Sequence, residues 1–122
     1  MAGTNRIIRA LKRIAATDAE LESAERQRVA ESVGADKIGL LADRQVARLR
    51  GTIIELSMKP RAGTPWLEAE FSDGSGMITL IWMGRREIPG VSAGREMEVS
   101  GRVSCVDGKR RLYNPRYELL TD

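Results

Sequence analysis

The sequence predicts a mainly β fold, a five-stranded Greek-key barrel preceded by one or two N-terminal α-helices. One pattern occurs twice, in Leu49–Ile53 and in Val99–Val103, where a glycine stands between two apolar residues on the same face of an extended strand. A glycine there marks a bend, a bulge or a close backbone approach, and strands that close a small barrel need such bends. Asp73-Gly74 and Asp107-Gly108 are turn sequences between strand-like runs, as antiparallel hairpins require.

The N-terminal part has a helical pattern, so we expect residues 1–32 to form a helical extension and residues 33–122 to form the barrel. Apolar residues recur at helical spacing across Ile7–Ile14. Residues 17–20 fit a capping box, which predicts a second helix that ends before Gly34. Because this second helix has few apolar residues, the sequence leaves open whether it docks on the barrel, mediates self-association or frays.

Alternating apolar and polar residues predict five strands, at about 45–57, 66–72, 77–83, 96–106 and 110–120. Ile54 and Leu56 break the alternation of the first strand, which predicts a bulge beyond Gly51. The connection 85–93 is predicted to form one helical turn that closes the barrel end. Pro115 is predicted to interrupt the last strand, because proline cannot donate a hydrogen bond to a neighbouring strand.

The alternation also assigns side chains to the two faces of the second and third strands. Phe71 and Trp82 fall on the inner face, which makes them core residues rather than stacking platforms. Ile81 falls on the outer face, together with Glu68 and Glu70.

Four segments carry a resemblance to a known family: Val46–Ile53, Asp73–Gly76 with Ile78 and Leu80, Gly94–Val103, and Leu112–Tyr117. The long first and fourth strands, and the longer connection after the third, describe an oligonucleotide/oligosaccharide-binding (OB) barrel. The chain resembles the small OB-fold domains of the tRNA-anticodon-binding type, especially the wedge domain of RecG-type helicases, and a group of short actinobacterial OB-fold proteins of unassigned role. The resemblance spans residues 38–120. It implies binding of nucleic acid, mostly single strands or junctions, on the face of the second and third strands between the flanking loops.

A face that binds single strands needs cations for the phosphates and aromatic rings for the bases. Basic residues occur in the two loops that flank the groove of an OB barrel, at Lys59 and Arg61 and again at 109–111. Trp66 and Tyr113 are the aromatic residues that the alternation directs outward. The predicted nucleic-acid-binding residues are Arg48, Arg50, Lys59, Arg61, Trp66, Thr79, Arg85, Arg86, Lys109, Arg110, Arg111 and Tyr113.

Two acidic residues oppose this function, since Glu68 and Glu70 lie on the predicted binding face and repel phosphate. The net charge of +3, from 20 basic and 17 acidic residues, permits a polyanionic partner without requiring one. We therefore expect weak binding of single-stranded DNA or RNA without strong sequence preference. The alternative is a protein-protein interaction or self-association module that uses the barrel and the charged helices. The two glutamates favour it, as do Ile54 and Ile81 outside the barrel.

The composition argues against catalysis, metal binding and membrane insertion. Without histidine, and with Cys105 as the single cysteine, the chain lacks the commonest general base and cannot form a Cys/His zinc site. We expect no enzyme activity and no cofactor, although the spacing of Glu68 and Glu70 is compatible with acid–base chemistry or magnesium binding. The lone cysteine suits a reducing cytoplasm, and no apolar stretch approaches the roughly 20 residues of a membrane span.

Overall fold

The structure, a computed structural model, describes residues 18–28, 30 and 34–120. Residues 18–28 are helical, which agrees with the second of the predicted helices. The predicted first helix and Thr17 of the capping box lie outside the described residues. Within the described part of the chain, no helix is long and apolar enough to cross a lipid bilayer.

Six β-strands follow a 3₁₀ turn at Ile38–Leu40: β1 (Val46–Met58), β2 (Trp66–Ser72), β3 (Met77–Met83), β4 (Glu96–Val106), β5 (Lys109–Tyr113) and β6 (Arg116–Leu119). They correspond to the five predicted strands, with the fifth divided into β5 and β6. The division occurs at Asn114 and Pro115, because Pro115 has no N–H to donate and Asn114 adopts a φ of 47°.

The strands close into a barrel. β1, β2 and β3 are consecutive antiparallel neighbours, β3 runs parallel to β5, and β4 pairs antiparallel with both β5 and β1. The pairing of β1 with β4 completes the ring, and β6 pairs with the first half of β4. This connectivity confirms the OB barrel that the sequence predicts.

Gly51 lies where β1 changes partner. The first half of β1 pairs with β4 and the second half with β2. A Cβ atom at Gly51 would lie 2.3 Å from the carbonyl oxygen of Ser72, so the two backbones approach more closely than any other residue allows. The register then shifts between Ile53 and Glu55, which confirms the predicted bulge beyond Gly51.

Gly101 occupies the corresponding place in β4, between a stretch that pairs with β6 and one that pairs with β5. A Cβ atom there would approach Cδ2 of Leu112 to 3.4 Å, an ordinary van der Waals distance. The repeated glycine pattern therefore marks two changes of strand partner, but only the glycine in β1 is required by a close backbone contact.

The inner side chains of β1 to β5 form one core: Ala47, Leu49, Ile53, Leu67, Ala69, Phe71, Ile78, Leu80, Trp82, Met97, Val99, Val103 and Leu112. Phe71 and Trp82 are buried, as predicted. Ile81 lies on the outer side of β3, as predicted. It is nevertheless buried, with 2% of its surface exposed, so it does not offer the apolar contact that was expected of it. Its register neighbours are Glu68 on β2 and Tyr113 on β5, and these flank it on both sides.

A buried carboxylate links the 3₁₀ turn to the β2–β3 hairpin. Asp73 Oδ2 accepts a hydrogen bond from the N–H of Ile38 at 2.9 Å, and Oδ1 accepts from the N–H and Oγ of Ser75 at 2.8 and 2.6 Å. These donors stabilise a charge that burial would otherwise penalise. The helical segment 18–28 packs on the same hairpin, where Gln27 Nε2 donates to the carbonyl of Gly74 at 2.8 Å. Docking on the barrel is thus the outcome that the structure shows for this helix.

The connection between β3 and β4 forms turns, so the helical turn predicted for 85–93 is wrong. The N–H of Val91 donates to the carbonyl of Ile88 at 3.0 Å, and Gly90 between them has a φ of 78°. Proline at position 89 disfavours a helical conformation of the residue before it, and Gly90 is left-handed, so both oppose a helix. The turn lets Ile88 pack into the core.

Candidate nucleic-acid interface

The outer side chains of β2, β3 and β5 lie on one surface, which we call the groove face: Trp66, Glu68 and Glu70 from β2, Met77, Thr79, Ile81 and Met83 from β3, and Lys109, Arg111 and Tyr113 from β5. Strand alternation places every second residue on this side, and the register aligns these residues in rows across the strands. In one row, Glu70, Thr79 and Arg111 are direct neighbours. The sequence pattern of the three strands therefore determines which charges meet on the groove face.

Two tight turns flank the groove face. In the first, Ala62 and Gly63 both have positive φ, and Arg61 and Thr64 exchange backbone hydrogen bonds of 2.8 and 2.9 Å. This turn fixes Arg61 beside the start of β2. The second turn is Asp107-Gly108, with φ values of 52° and 74°, the left-handed pair that its sequence predicts.

A cavity of about 410 Å³ opens on the groove face beside the second turn. Lys59 reaches it from the first loop, and Lys109 and Arg111 reach it from β5. Thr79 contributes from β3 and Arg110 borders the cavity, so the structure brings five of the predicted binding residues to one cavity. Within the described residues, neither Lys109 nor Arg111 forms an ion pair, and their charges remain available to an anion.

The two glutamates of the groove face line the same cavity, and each has a polar neighbour that stabilises its carboxylate. Glu70 Oε1 accepts a hydrogen bond from Thr79 Oγ1 at 2.9 Å. Glu68 Oε2 lies 3.3 Å from the ammonium nitrogen of Lys59. Among the residues that the structure describes, no three potential metal-ligating side chains come together. Both glutamates contribute negative charge to the lining of the cavity.

Aromatic rings lie at the other end of the groove face. The rings of Trp66 and Tyr113 meet edge to face, with centroids 6.4 Å apart and an interplanar angle of 84°. The guanidinium carbon of Arg61 lies 5.0 Å from the Trp66 ring centroid, a cation–π contact. Tyr113 is 42% exposed, whereas Trp66 is half-buried. This cluster combines a cation with two rings, the pair of features that single-strand binding requires.

Arg48 and Arg50 lie elsewhere, on the outer side of β1 where it pairs with β4. Arg48 Nε lies 2.5 Å from Glu98 Oε1, and this hydrogen bond, with the charge of Glu98, raises the pKa of Arg48 above its ordinary value. Arg50 lines a small cavity of about 70 Å³ beside the helical segment, together with Glu25 and Glu96. Both arginines have carboxylates as neighbours, and neither lines the groove-face cavity.

The other predicted cations have surroundings of their own. Arg110 borders the groove-face cavity, but alternation along β5 directs it away from its two strand neighbours. Its Nη2 donates to the carbonyl of Gly39 at 3.1 Å, which ties β5 to the 3₁₀ turn. Arg85 and Arg86 line a different cavity, next to Arg95.

Met77 and Met83 are two groove-face residues that the sequence analysis did not single out for binding. Both are exposed. The alternation that places Thr79 on this face places both methionines there too, so the signal was present. Flexible thioether side chains adapt to flat apolar surfaces, which suits them to contact bases.

Comparison with protein-family models and with curated protein sequences gives no match. Similar solved structures include RecG bound to a three-way DNA junction, with a TM-score of 0.56 and 21% identity over 68% of this chain and 12% of that chain. They also include the p204 HINb domain, with a TM-score of 0.59 and 9% identity over 75% of this chain and 49% of that chain. The chain thus matches a small part of RecG and about half of the HINb chain. At these identities the similarities show a shared fold, in agreement with the OB barrel described above.

Proposed function

We propose that this chain is a non-catalytic module that binds single-stranded or junction nucleic acid weakly, through the groove face of its OB barrel. The observation that carries the proposal is the arrangement of Lys109, Arg111 and the Trp66–Tyr113 pair on one surface between two loops. The RecG structure that shares the fold is of a protein bound to a DNA junction, which supports the same class of ligand.

The groove face offers separate contacts to the two parts of a nucleic acid. Lys109 and Arg111 are positioned for phosphates, and Arg61 adds a third cation beside the aromatic rings. Bases stack on Trp66 and Tyr113, with about 1–3 kcal/mol for each stacked base. Two rings give modest affinity, and phosphate contacts carry no sequence information. We therefore expect weak binding that is indifferent to sequence over most of the bound strand.

A salt titration tests this proposal directly. A fluorescently labelled oligonucleotide of about 20 nucleotides is titrated with the full chain, and anisotropy is followed at several salt concentrations. With roughly four phosphate contacts, from Lys59 and the three cations named above, the logarithm of the affinity falls with the logarithm of the salt concentration at a slope near −3. Absence of binding at high micromolar protein and low salt would reject the proposal.

A protein-interaction or self-association module is the second candidate, and one observation favours it. Ile54, at the bulge of β1, is 45% exposed and offers an apolar contact. Burial of Ile81 removes the other apolar residue that supported this alternative. Light scattering over a range of protein concentrations separates the two. A constant monomer mass is expected, whereas a mass that rises with concentration would favour self-association.

A further inference from the structure

Glu68 has an unusual position among the carboxylates of the barrel. Its side chain is only 12% exposed, and its Oε2 atom is buried without accepting a hydrogen bond from any described residue. Asp73, Glu70 and Glu98, in contrast, each accept at least one hydrogen bond. Buried carboxylate oxygens almost always accept a hydrogen bond, whereas Glu68 Oε2 has only the ion pair with Lys59, so a ligand that displaces Lys59 could donate to it.

Lys59 is the group that covers this oxygen. Its ammonium nitrogen lies 3.3 Å from Oε2, on a side chain that is 61% exposed and belongs to the first loop. Such a long, exposed side chain reorients at little cost, so it can turn from Glu68 to a phosphate and uncover the carboxylate. The ion pair therefore holds Glu68 in place before a nucleic acid arrives.

The neighbours of Glu68 show which part of a nucleic acid reaches it. Trp66 precedes it by two residues on the same side of β2, a distance of about 7 Å along the strand. Tyr113 belongs to the same cross-strand row, beyond Ile81. The hydrogen-bonding edge of a base that stacks on the Trp66–Tyr113 pair is therefore within reach of Glu68.

The chemistry of a carboxylate selects one base. Its two oxygens accept two parallel hydrogen bonds. The Watson–Crick edge of guanine presents two adjacent donors, N1–H and the N2 amino group. The corresponding edges of adenine and cytosine place an acceptor beside their amino group, and thymine has one donor between two carbonyls. We propose that Glu68 forms a base-reading subsite on the groove face that prefers guanine.

This inference rests on the proposed function, and its test uses a different comparison. Short oligothymidine strands carry one central guanine, adenine, cytosine or hypoxanthine, and anisotropy measures their affinity for the full chain. We expect the guanine strand to bind about fivefold or more tightly than the adenine and cytosine strands. Hypoxanthine keeps N1–H but lacks the N2 amino group, so most of the preference should be lost with it.

Two variants of matched size assign the preference to a residue. Glu68→Gln replaces one acceptor oxygen by a donor, so the guanine preference should disappear while oligothymidine still binds. Glu70→Gln changes the neighbouring glutamate, which is already bonded to Thr79, and should keep the preference. Equal affinity of the wild-type chain for all four strands would overturn the inference, as would a guanine preference that survives Glu68→Gln. Failure of every strand to bind would instead overturn the proposed function.

Discussion

The barrel carries cations on two separate surfaces, and the comparison of these surfaces shows which cations can meet a ligand. The β1–β4 face is the outer side of the first half of β1 and of its partner β4. There Arg48 is hydrogen-bonded to Glu98 at 2.5 Å, and the charge of Glu118 also acts on it. On the groove face, Lys109 and Arg111 line a cavity without forming an ion pair within the described chain.

Strand register produces this difference. On the β1–β4 face, Arg50 of β1 is the register partner of Glu98 on β4. Glu98 is in turn the register partner of Glu118 on β6. Opposite charges on neighbouring strands attract each other, and a paired cation attracts a phosphate less than a free one. On the groove face, Arg111 stands opposite Thr79, and Thr79 already donates to Glu70. The number of cations is thus a weaker indicator of binding than their cross-strand partners.

The largest effect is expected on the free energy of unfolding, for a substitution of the residue that joins the two faces. Gly51 lies where β1 leaves β4 for β2, and Gly51→Ala would put a Cβ 2.3 Å from the Ser72 carbonyl oxygen. Because a backbone must move, the free energy of unfolding should fall by about 3 kcal/mol, as measured by urea denaturation. Gly101→Ala is the matched control and should change it by less than about 1 kcal/mol, since its Cβ would lie at ordinary van der Waals distances, 3.4 Å from Leu112 Cδ2 and 3.9 Å from Pro115 Cα. Equal losses in the two variants would contradict the close contact at Gly51.

The next largest effect, on oligonucleotide binding, is expected when cations of the groove face are removed. Lys109→Ala combined with Arg111→Ala removes two phosphate contacts and should lower the salt slope of oligonucleotide binding by about 1.4. The same two contacts correspond to an affinity loss on the order of 100-fold at about 20 mM salt and about 10-fold at 150 mM.

The matched double variant on the β1–β4 face is Arg48→Ala with Arg50→Ala, which removes the same charge. It should weaken binding by less than about threefold, through the long-range field alone. Similar losses in affinity and slope for the two double variants would show that net charge, rather than the groove face, governs binding.

The faces themselves could be predicted from the sequence because they depend on local patterns. Alternation places Phe71 inside and Thr79 outside with no knowledge of the other strands, and Gly51 indicates that β1 must bend. The burial of Ile81 is different, since it depends on the neighbours that register supplies from β2 and β5. A period-two pattern predicts on which side of a strand a residue lies, but it does not predict which side chains of the neighbouring strands cover that residue.

The partners of the cations were not predictable for the same reason. Arg48 finds its carboxylate 50 residues away, and Arg110 finds a carbonyl 71 residues away. Lys59 and Arg61 could be placed beside the groove, because a loop between two adjacent strands has a fixed position in this barrel. Long-range pairing decides which of the twelve predicted residues are free for a ligand, and only the folded barrel reveals it.

A smaller effect tests the stacking part of the groove face. Trp66→Ala should weaken oligonucleotide binding about 10-fold, within the usual range for one stacked base. The salt slope of oligonucleotide binding by this variant should stay unchanged, because no phosphate contact is lost. Trp66→Phe retains an aromatic ring and should recover most of the affinity. If Trp66→Ala lowered the slope as well, the ring would be acting through the position of Arg61, which lies 5.0 Å from its centroid.

The smallest effect on binding is expected within a run of three cations on β5. Arg110→Ala removes the hydrogen bond to the Gly39 carbonyl, so the free energy of unfolding should fall by about 1 kcal/mol. Oligonucleotide affinity of the folded protein should change by less than about twofold, because the guanidinium is directed to the 3₁₀ turn. Lys109→Ala, the matched variant at the neighbouring position, should weaken oligonucleotide binding and leave the free energy of unfolding unchanged. Urea denaturation and anisotropy on both variants measure the two quantities. A loss of affinity at Arg110 that equals the loss at Lys109 would mean that β5 presents adjacent side chains to the same ligand, against the alternation that defines the groove face.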